Sequence, residues 1–577
     1  MPIRPDSQRQ RTTGTVLLAL TLLAFVGLLG RLIHINTARR ATLLAIAKRQ
    51  QESRSVLPSR RGHILDRRGR VLATTRFLPD VFIDAKVVAD AEAFAAELGA
   101  RINVAPEHLL ERIQAQPNAR YLIVAKRVDP VTAEAVAQMK QPGAGLSRRA
   151  ARVYPMGTSL AHVLGFVGAD GHGLEGIELA LDEHLAGRDG RIESIRDAKR
   201  RALWHGEHAG RPPVDGGNLV LTVDAEIQRV TEAALEQSVT EFEARSGVAI
   251  VMAPATGEIL AMACYPTFDP NKPMSVPAGT RRNRAITDPV EPGSTFKPFI
   301  ASGALDRGLV TLTEEIDCHM GRFRFGSRLV QDTHPYGLLD LTGIITKSSN
   351  IGMGQIAERM GNDLLYATIK GFGFGTRTGI ELVGECSGIV HSLSKWNDLS
   401  TTSVSFGYEV SVTPLQLITG LCCLLNDGVL IKPHLVKELS RPDGTVVQSH
   451  AGAEAVRRVV RPEVARYMVQ TAMVSVVEHG GARTHFQGPY RALGKTGTVK
   501  LLKPDRSGYE PGAYLSTFMG AAPVRNPQVA AVVMVRRPNM KKGYYGATVA
   551  APAVSRILGT TLAYLQVPAD RQVAMGP

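Results

Sequence analysis

The stretch Glu291-Pro292-Gly293-Ser294-Thr295-Phe296-Lys297-Pro298 decides how this chain is read. Pro-Gly makes a turn, and a helix can start at Ser294. Pro298 then falls among the first four helical residues, whose N–H groups lack intrahelical partners in any case. On that helix Ser294 and Lys297 stand at i and i+3 and share a face. A serine hydroxyl is a weak nucleophile until a base takes its proton, and a lysine whose pKa is lowered by burial can be that base. The pattern S-x-x-K says little alone, because it recurs at Ser392-Leu393-Ser394-Lys395. A surface serine near a lysine would explain either copy.

What separates the two copies is the chain that follows. After Ser294 come Ser348-Ser349-Asn350 and then Lys495-Thr496-Gly497-Thr498. No other S-x-N or K-[ST]-G occurs, and Ser392 lies after the S-x-N, out of order. The ordered set S-x-x-K, S-x-N, K-T-G is the signature of penicillin-binding proteins and serine β-lactamases. Each part answers a chemical need. Ser348 can relay a proton between Lys297 and a leaving amine. Asn350 supplies an amide that can hold a substrate peptide bond and restrain Lys297. The stretch Arg491 to Thr498 reads as ending in a strand whose backbone pairs with an extended peptide. Lys495 brings positive charge near the base, and Thr496 and Thr498 offer hydroxyls to a substrate carboxylate. Backbone N–H groups of Ser294 and Thr498 would form an oxyanion hole.

Several features point elsewhere and do not hold up. Gly494-Lys495-Thr496 resembles the end of a P-loop, but the required first glycine position is Pro489. Gly371-Phe372-Gly373-Phe374-Gly375 lacks the G-x-G-x-x-G spacing and reads as a tight turn. His162, His479 and His485 stand in no triad context and read as structural or surface residues. The five cysteines form no C-x-x-C, and no H-E-x-x-H occurs, so neither a disulfide framework nor a metal site is expected. Lys and Arg number 68 against 53 Asp and Glu, a net charge of +15 that suits an anionic membrane surface or polymer. Aromatics at 5% are thin for stacking on single strands, so nucleic acid is not the expected partner.

Outward from the motif, the 577 residues are 44% hydrophobic and 21% charged, globular values that exclude wholesale disorder and a polytopic membrane protein. One uncharged run, Thr15 to Gly30, extends through Ile35 to about 20 residues, enough to span a bilayer. No clear cleavage site follows it, so it reads as an uncleaved anchor rather than a signal peptide. Basic residues flank it on both sides and leave its orientation open. A helical stretch is expected around Ala41 to Gln51, helices over 88 to 140, and a linker at Arg211-Pro212-Pro213-Val214-Asp215-Gly216-Gly217. Leu219 to Val223 reads as a strand, Ala225 to Ser238 as a helix, and Gly247 to Met252 with Glu258 to Ala263 as paired strands.

The chain resembles a class B penicillin-binding protein, a monofunctional peptidoglycan D,D-transpeptidase. The likeness extends over Arg61-Gly62 through Asp66-Arg67, Tyr154-Pro155, Ala161 to Val167 and Gly173 to Glu178. It continues through Leu221 to Asp224, Tyr265 to Asn271, Val412 to Leu417 and Tyr544-Tyr545-Gly546. Arg282 to Asp288 leading into Glu291 resembles the division-specific, FtsI-type branch. Glu409 stands where many relatives have glycine, and Val499 where alanine is frequent.

The resemblance implies an α/β fold: an antiparallel sheet flanked by helices, beside an elongated N-terminal pedestal. It divides the chain into a cytoplasmic tail (1–14), an anchor (15–35), a juxtamembrane segment (36–56), a pedestal of the dimerisation type (57–215) and a transpeptidase domain (216–570). Ser294, Lys297, Ser348, Asn350 and Lys495 would be catalytic, with Thr496, Gly497 and Thr498 binding substrate. No metal or organic cofactor is implied. The implied partners are D-Ala-D-Ala stem peptides, β-lactams, a SEDS-family glycosyltransferase and other division proteins of the bacterial inner membrane. An elongation enzyme, a D,D-carboxypeptidase and a β-lactam sensor are the alternatives on the same fold.

Overall fold

The computed structural model describes residues 7–196, 202–503, 505 and 507–571. They divide into two compact units: the residues up to Ser59 with Arg188–Val214, and Arg60–Gly187 with the chain from Asp215 onward.

In the first unit a single helix runs over Ser7–Thr37. Its segment Arg11–Thr37, 27 residues, is long and apolar enough to cross a membrane. Threonine hydroxyls turn back onto carbonyls one turn earlier, Thr21 to Leu17 O and Thr37 to Ile33 O at 2.8 Å each, which satisfies them inside the helix. A second helix, Arg40–Gln51, matches the stretch expected from the sequence. Glu52–Leu57, Gly190–Arg196 and Ala202–Arg211 then form a three-stranded antiparallel sheet.

The second unit begins with a sheet shared by chain on both sides of the expected linker. Its strands lie in the order Val446–Ser449, Val436–Ser440, Asn218–Leu221, Ile64–Leu65, Val71–Ile83 and Leu122–Ala125, with Ala144–Val153 also on Val71–Ile83. The region read as helical contains Ala91–Ile102, Pro106–Ala115 and Pro130–Ala137, but also the strand Leu122–Ala125. Its Ile123 and Val124 are β-branched, and the strand pairs with Val81 to Ile83.

Two of the family-like stretches prove to be staples. Glu178, fully buried, takes Arg61 Nε on one oxygen and Arg152 Nε on the other, both at 2.6 Å, and accepts from Tyr154 OH at 3.2 Å. Removing one member of such a cluster strands the others' charge in a dry interior. Asp224 caps the helix after it by accepting from Glu226 N at 2.9 Å, and also holds Arg70 at 2.6 Å.

The larger part of this unit is built on ten elements. In chain order they are α1 (Ala225–Glu241), β1 (Ser246–Met252), β2 (Ile259–Tyr265), α2 (Lys297–Asp306), α3 (Asn350–Gly371), α4 (Pro414–Leu425), β3 (Leu493–Leu502), β4 (Tyr509–Ala522), β5 (Val529–Arg536) and α5 (Ala551–Tyr564). The strands form one antiparallel sheet in the order β2-β1-β5-β4-β3. Successive side chains of β1 enter different cores. Ile250 and Met252 join Leu417 and Leu421 of α4. Ala249 and Val251 join Leu235 of α1 and Ile557 of α5. Burial on both faces explains why β1 and β5 read as continuous apolar runs. α4 is buried along its length and opens with a reciprocal cap, Thr413 and Gln416 each holding the other's backbone N–H.

Candidate active site

The turn that carries Ser294 is tighter than the sequence suggests. Gly293–Phe296 is a 3-10 turn, and the regular helix α2 starts at Lys297 with Pro298 in its first turn. In a 3-10 turn residues i and i+3 eclipse, which aligns Ser294 with Lys297 better than an α-helix would. Gly293 has φ +55°, and a Cβ there would stand 2.3 Å from Val499 Cγ2. Its N–H donates to Gly407 O at 3.1 Å, and Gly407, φ +83°, has no room for a Cβ against Gly293. Two glycine backbones thus touch directly behind the serine. Beneath the turn, Phe296 packs on Phe374 and Phe299 on Phe372, with ring centroids 4.9 and 5.2 Å apart. Ser294 itself is half-buried and Lys297 fully buried.

The second motif is a joint between two helices. Leu341–Lys347 ends at Ser348, whose φ of +60° closes that helix and reverses the chain. Ser349 then caps α3, accepting from Gly352 N at 3.0 Å. This throws the Ser348 and Asn350 side chains onto Lys297. Lys297 Nζ lies 2.5 Å from Ser348 O, 2.8 Å from Asn350 Oδ1 and 3.3 Å from Ser348 Oγ. A neutral amine has two N–H donors and one lone pair, so the carbonyl and the amide oxygen suffice to fill its donors.

β3 brings the third motif as the edge strand of the sheet. Lys495 is fully buried, and its Nζ reaches Ser348 Oγ at 3.0 Å. Thr496 and Thr498 alternate with it and are half-buried. Thr498 Oγ1 accepts from Gly546 N at 3.0 Å, so the Tyr544-Tyr545-Gly546 stretch props up this strand. A Cβ on Gly497 would come within 2.9 Å of Thr295 Cγ2, so β3 lies against the Ser294 turn with no room between.

The two lysines share one hydroxyl and both are held below their ordinary pKa. For Lys297 the causes are burial and then the Lys495 charge, and the value lies well below normal. Burial alone brings Lys495 to about 7. Lys297, under both influences, is the first of the pair to become a neutral amine.

The structure thus gathers Ser294, Lys297, Ser348, Asn350 and Lys495 into one locus. It leaves the second S-x-x-K copy on the surface, where Ser392 meets only the Ser394 hydroxyl among the described side chains, at 2.9 Å. His162 is a packing residue: edge-on to Phe268, bound to Thr280 O, and lowered by burial to about 4. Sequence reasoning missed Asp332. Its carboxylate accepts from Asn350 N at 2.5 Å, Ile351 N at 3.2 Å and Ser349 Oγ at 2.6 Å, anchoring the S-x-N joint at the N-terminus of α3. The S-x-x-G spacing from Ser349 to Gly352 signals a cap, but nothing in the local sequence ties Asp332 to it. Among the described residues no group of three or more His, Cys, Asp or Glu side chains could hold a metal ion.

Comparison with known proteins places the chain in a family. Residues 247–559 match the penicillin binding protein transpeptidase domain, and residues 56–221 the penicillin-binding protein dimerisation domain. The chain is 33% identical over 560 residues to the probable peptidoglycan D,D-transpeptidase PenA of Neisseria meningitidis, covering 96% of this chain and 92% of that one. It is 32% identical over 554 residues to the peptidoglycan D,D-transpeptidase FtsI of Escherichia coli K12, covering 95% and 91%. Among solved structures, the aztreonam complex of mycobacterial penicillin-binding protein 3 is similar at a TM-score of 0.69 and 28% identity, covering 90% and 98%. The protein belongs to the class B penicillin-binding proteins, in which a dimerisation domain precedes a penicillin-binding transpeptidase domain.

Proposed function

We propose that Ser294 is the acyl-accepting nucleophile of this peptidoglycan D,D-transpeptidase, with Lys297 as its base. The observation that carries this is the buried Lys297 amine, held between Ser348 and Asn350 with Lys495 on the same Ser348 hydroxyl. The Ser294 proton passes to Lys297 as Oγ attacks the carbonyl of the penultimate D-Ala. The C–N bond breaks, and Ser348 relays the proton to the departing D-Ala amine. An amine of a neighbouring stem then attacks the acyl-enzyme, returns its proton through Lys297 and releases Ser294. The stem peptide adds to the free edge of β3, with Thr496 and Thr498 on its carboxylate. N–H groups of Ser294 and Thr498 face the oxyanion. A β-lactam would acylate the same serine.

In this reading the pedestal covers residues 57–215 and the transpeptidase domain 216–570. The helix at 15–35 anchors the chain in the cytoplasmic membrane, with the preceding residues inside and the rest outside, where the wall lies. Arg282 to Asp288 and the FtsI likeness support a role at the division septum beside a SEDS-family glycosyltransferase. The deciding experiment feeds D-Ala-D-Ala stem peptide and an acceptor stem to the purified protein and scores cross-link against free acid. Cross-link lost on Ser294→Ala supports the reading. Free acid alone makes it a carboxypeptidase, and a stable acyl-enzyme without product makes it a sensor. Even side-wall labelling by a fluorescent fusion would assign it to elongation instead of division.

A further inference from the structure

A cavity of about 150 Å³ lies among the turn after α3, the helix α4, and the strands Val429–Ile431 and Ala455–Arg458. None of Ser294, Lys297, Ser348, Asn350 or Lys495 lines it. Its floor is apolar, with Phe372, Leu430 and Ile431 all buried. Its rim is cationic: Arg377, Lys432 and Arg457 line it, and among the described residues no Asp or Glu does.

Among the described residues only Lys432 of the three has a carboxylate within ion-pair distance, and the buried Glu385 carboxylate sits behind the lining, held by Thr378 N at 2.6 Å and Thr378 Oγ1 at 2.7 Å. Arg457 spends Nε on Gly371 O at 2.7 Å and Nη2 on Lys370 O at 3.1 Å, the last carbonyls of α3. Those bonds fix the guanidinium in place without cancelling its charge. Lys432 has Glu454 at 3.4 Å, but that pair is open to water and weak. Arg377 is exposed, and among the described residues no carboxylate pairs with it. Lys370 stands close by, bound to Gly375 O and Thr376 Oγ1 at 3.1 Å each. Burial and then the Arg457 charge keep its ammonium below the ordinary lysine value. A cluster of like charges over a dry floor is relieved by a ligand that is an anion at one end and apolar at the other.

We propose that this cavity is a second ligand site, separate from the serine groove, that takes a small organic anion with an apolar body. A carboxylate or phosphate ester would sit across Arg377 and Arg457 while its apolar part covers Phe372 and Leu430. The volume admits something no larger than a small fragment, since drug-sized pockets run from roughly 300 Å³ upward.

The test titrates the full-length protein in detergent by calorimetry with two probes, benzoate and phenyl phosphate, and with benzyl alcohol as the neutral control. The two anions distinguish a carboxylate source from a phosphate source. Saturable binding of at least one anion, equal before and after penicillin blocks the serine, is the expected result. Arg377→Glu should weaken it by about ten-fold or more, the loss of one charged contact. Arg377 is exposed, so the variant should fold, and unchanged penicillin labelling checks this. No saturable binding, loss on penicillin treatment, equal binding of benzyl alcohol, or indifference to Arg377→Glu would each overturn the proposal.

Discussion

Replacing Lys495 with methionine removes a buried charge while nearly keeping the side-chain length. Lys297 Nζ and Lys495 Nζ lie 3.3 and 3.0 Å from the same Ser348 Oγ, which keeps the two nitrogens within about 6 Å, where unit charges repel by about 3 kcal/mol at an effective dielectric of about 20. That repulsion helps Lys297 shed its proton. In the wild type, acylation of Ser294 by penicillin should rise with pH as Lys297 becomes neutral. It should fall again as Lys495 loses its own proton at about 7. In Lys495→Met the rising limb should move to higher pH, because the repulsion is gone and Lys297 holds its proton longer. The falling limb should disappear with the group that causes it. The assay is the second-order rate of labelling by a fluorescent penicillin from about pH 5 to about pH 9, with folding followed by circular dichroism. A rising limb that stays in place or moves to lower pH, or a falling limb that survives, would refute the shared-hydroxyl arrangement.

Three further outcomes are expected. Ser294→Ala should reduce penicillin labelling by about 10⁶-fold, as loss of a nucleophile does in other serine enzymes, while Ser392→Ala leaves it unchanged; label retained on Ser294→Ala removes the assignment. Asp332→Ala strands Asn350 N, Ile351 N and Ser349 Oγ without their acceptor, a cost of about 1–3 kcal/mol for each group that stays buried. A lower melting temperature and slower acylation should follow, and an unchanged melting curve would show that the joint does not need this carboxylate. Finally, Lys495 titrates at about 7 when folded and at about 10.4 when unfolded. Between those values the unfolded chain binds more protons, so stability should rise with pH across that window. Urea melts at both ends should show the rise in the wild type and a smaller one in Lys495→Met; equal slopes would place the titration elsewhere.

Much of this was legible because the motifs encode both local geometry and chemistry. Pro292-Gly293 marks the turn, Pro298 limits how the helix can begin, and the order of three short motifs selects Ser294 over Ser392. The strands β1 and β2 and the helix α1 were readable to within a few residues, since apolar runs and turn residues bound them. The Gly371 to Gly375 run was readable as a turn, and Gly373 and Gly375 do adopt positive φ. The strand Leu122–Ala125 was obscured by its helical, alanine-rich surroundings, because pairing with a distant strand outweighed local propensity.

By itself the sequence determined which residues can do chemistry here and in what order they occur, because nucleophile, base and capping preferences are properties of single residues and short spacings. The tertiary structure alone decided that Ser348 Oγ serves two lysines, that Gly293 meets Gly407, and that Asp332 anchors the Ser348-to-Asn350 joint. Those contacts join positions 17 to 147 residues apart in the chain, from Asp332–Ser349 to Ser348–Lys495. Burial, which lowers the pKa of Lys297, also depends on the whole fold packed around it. No local spacing records it.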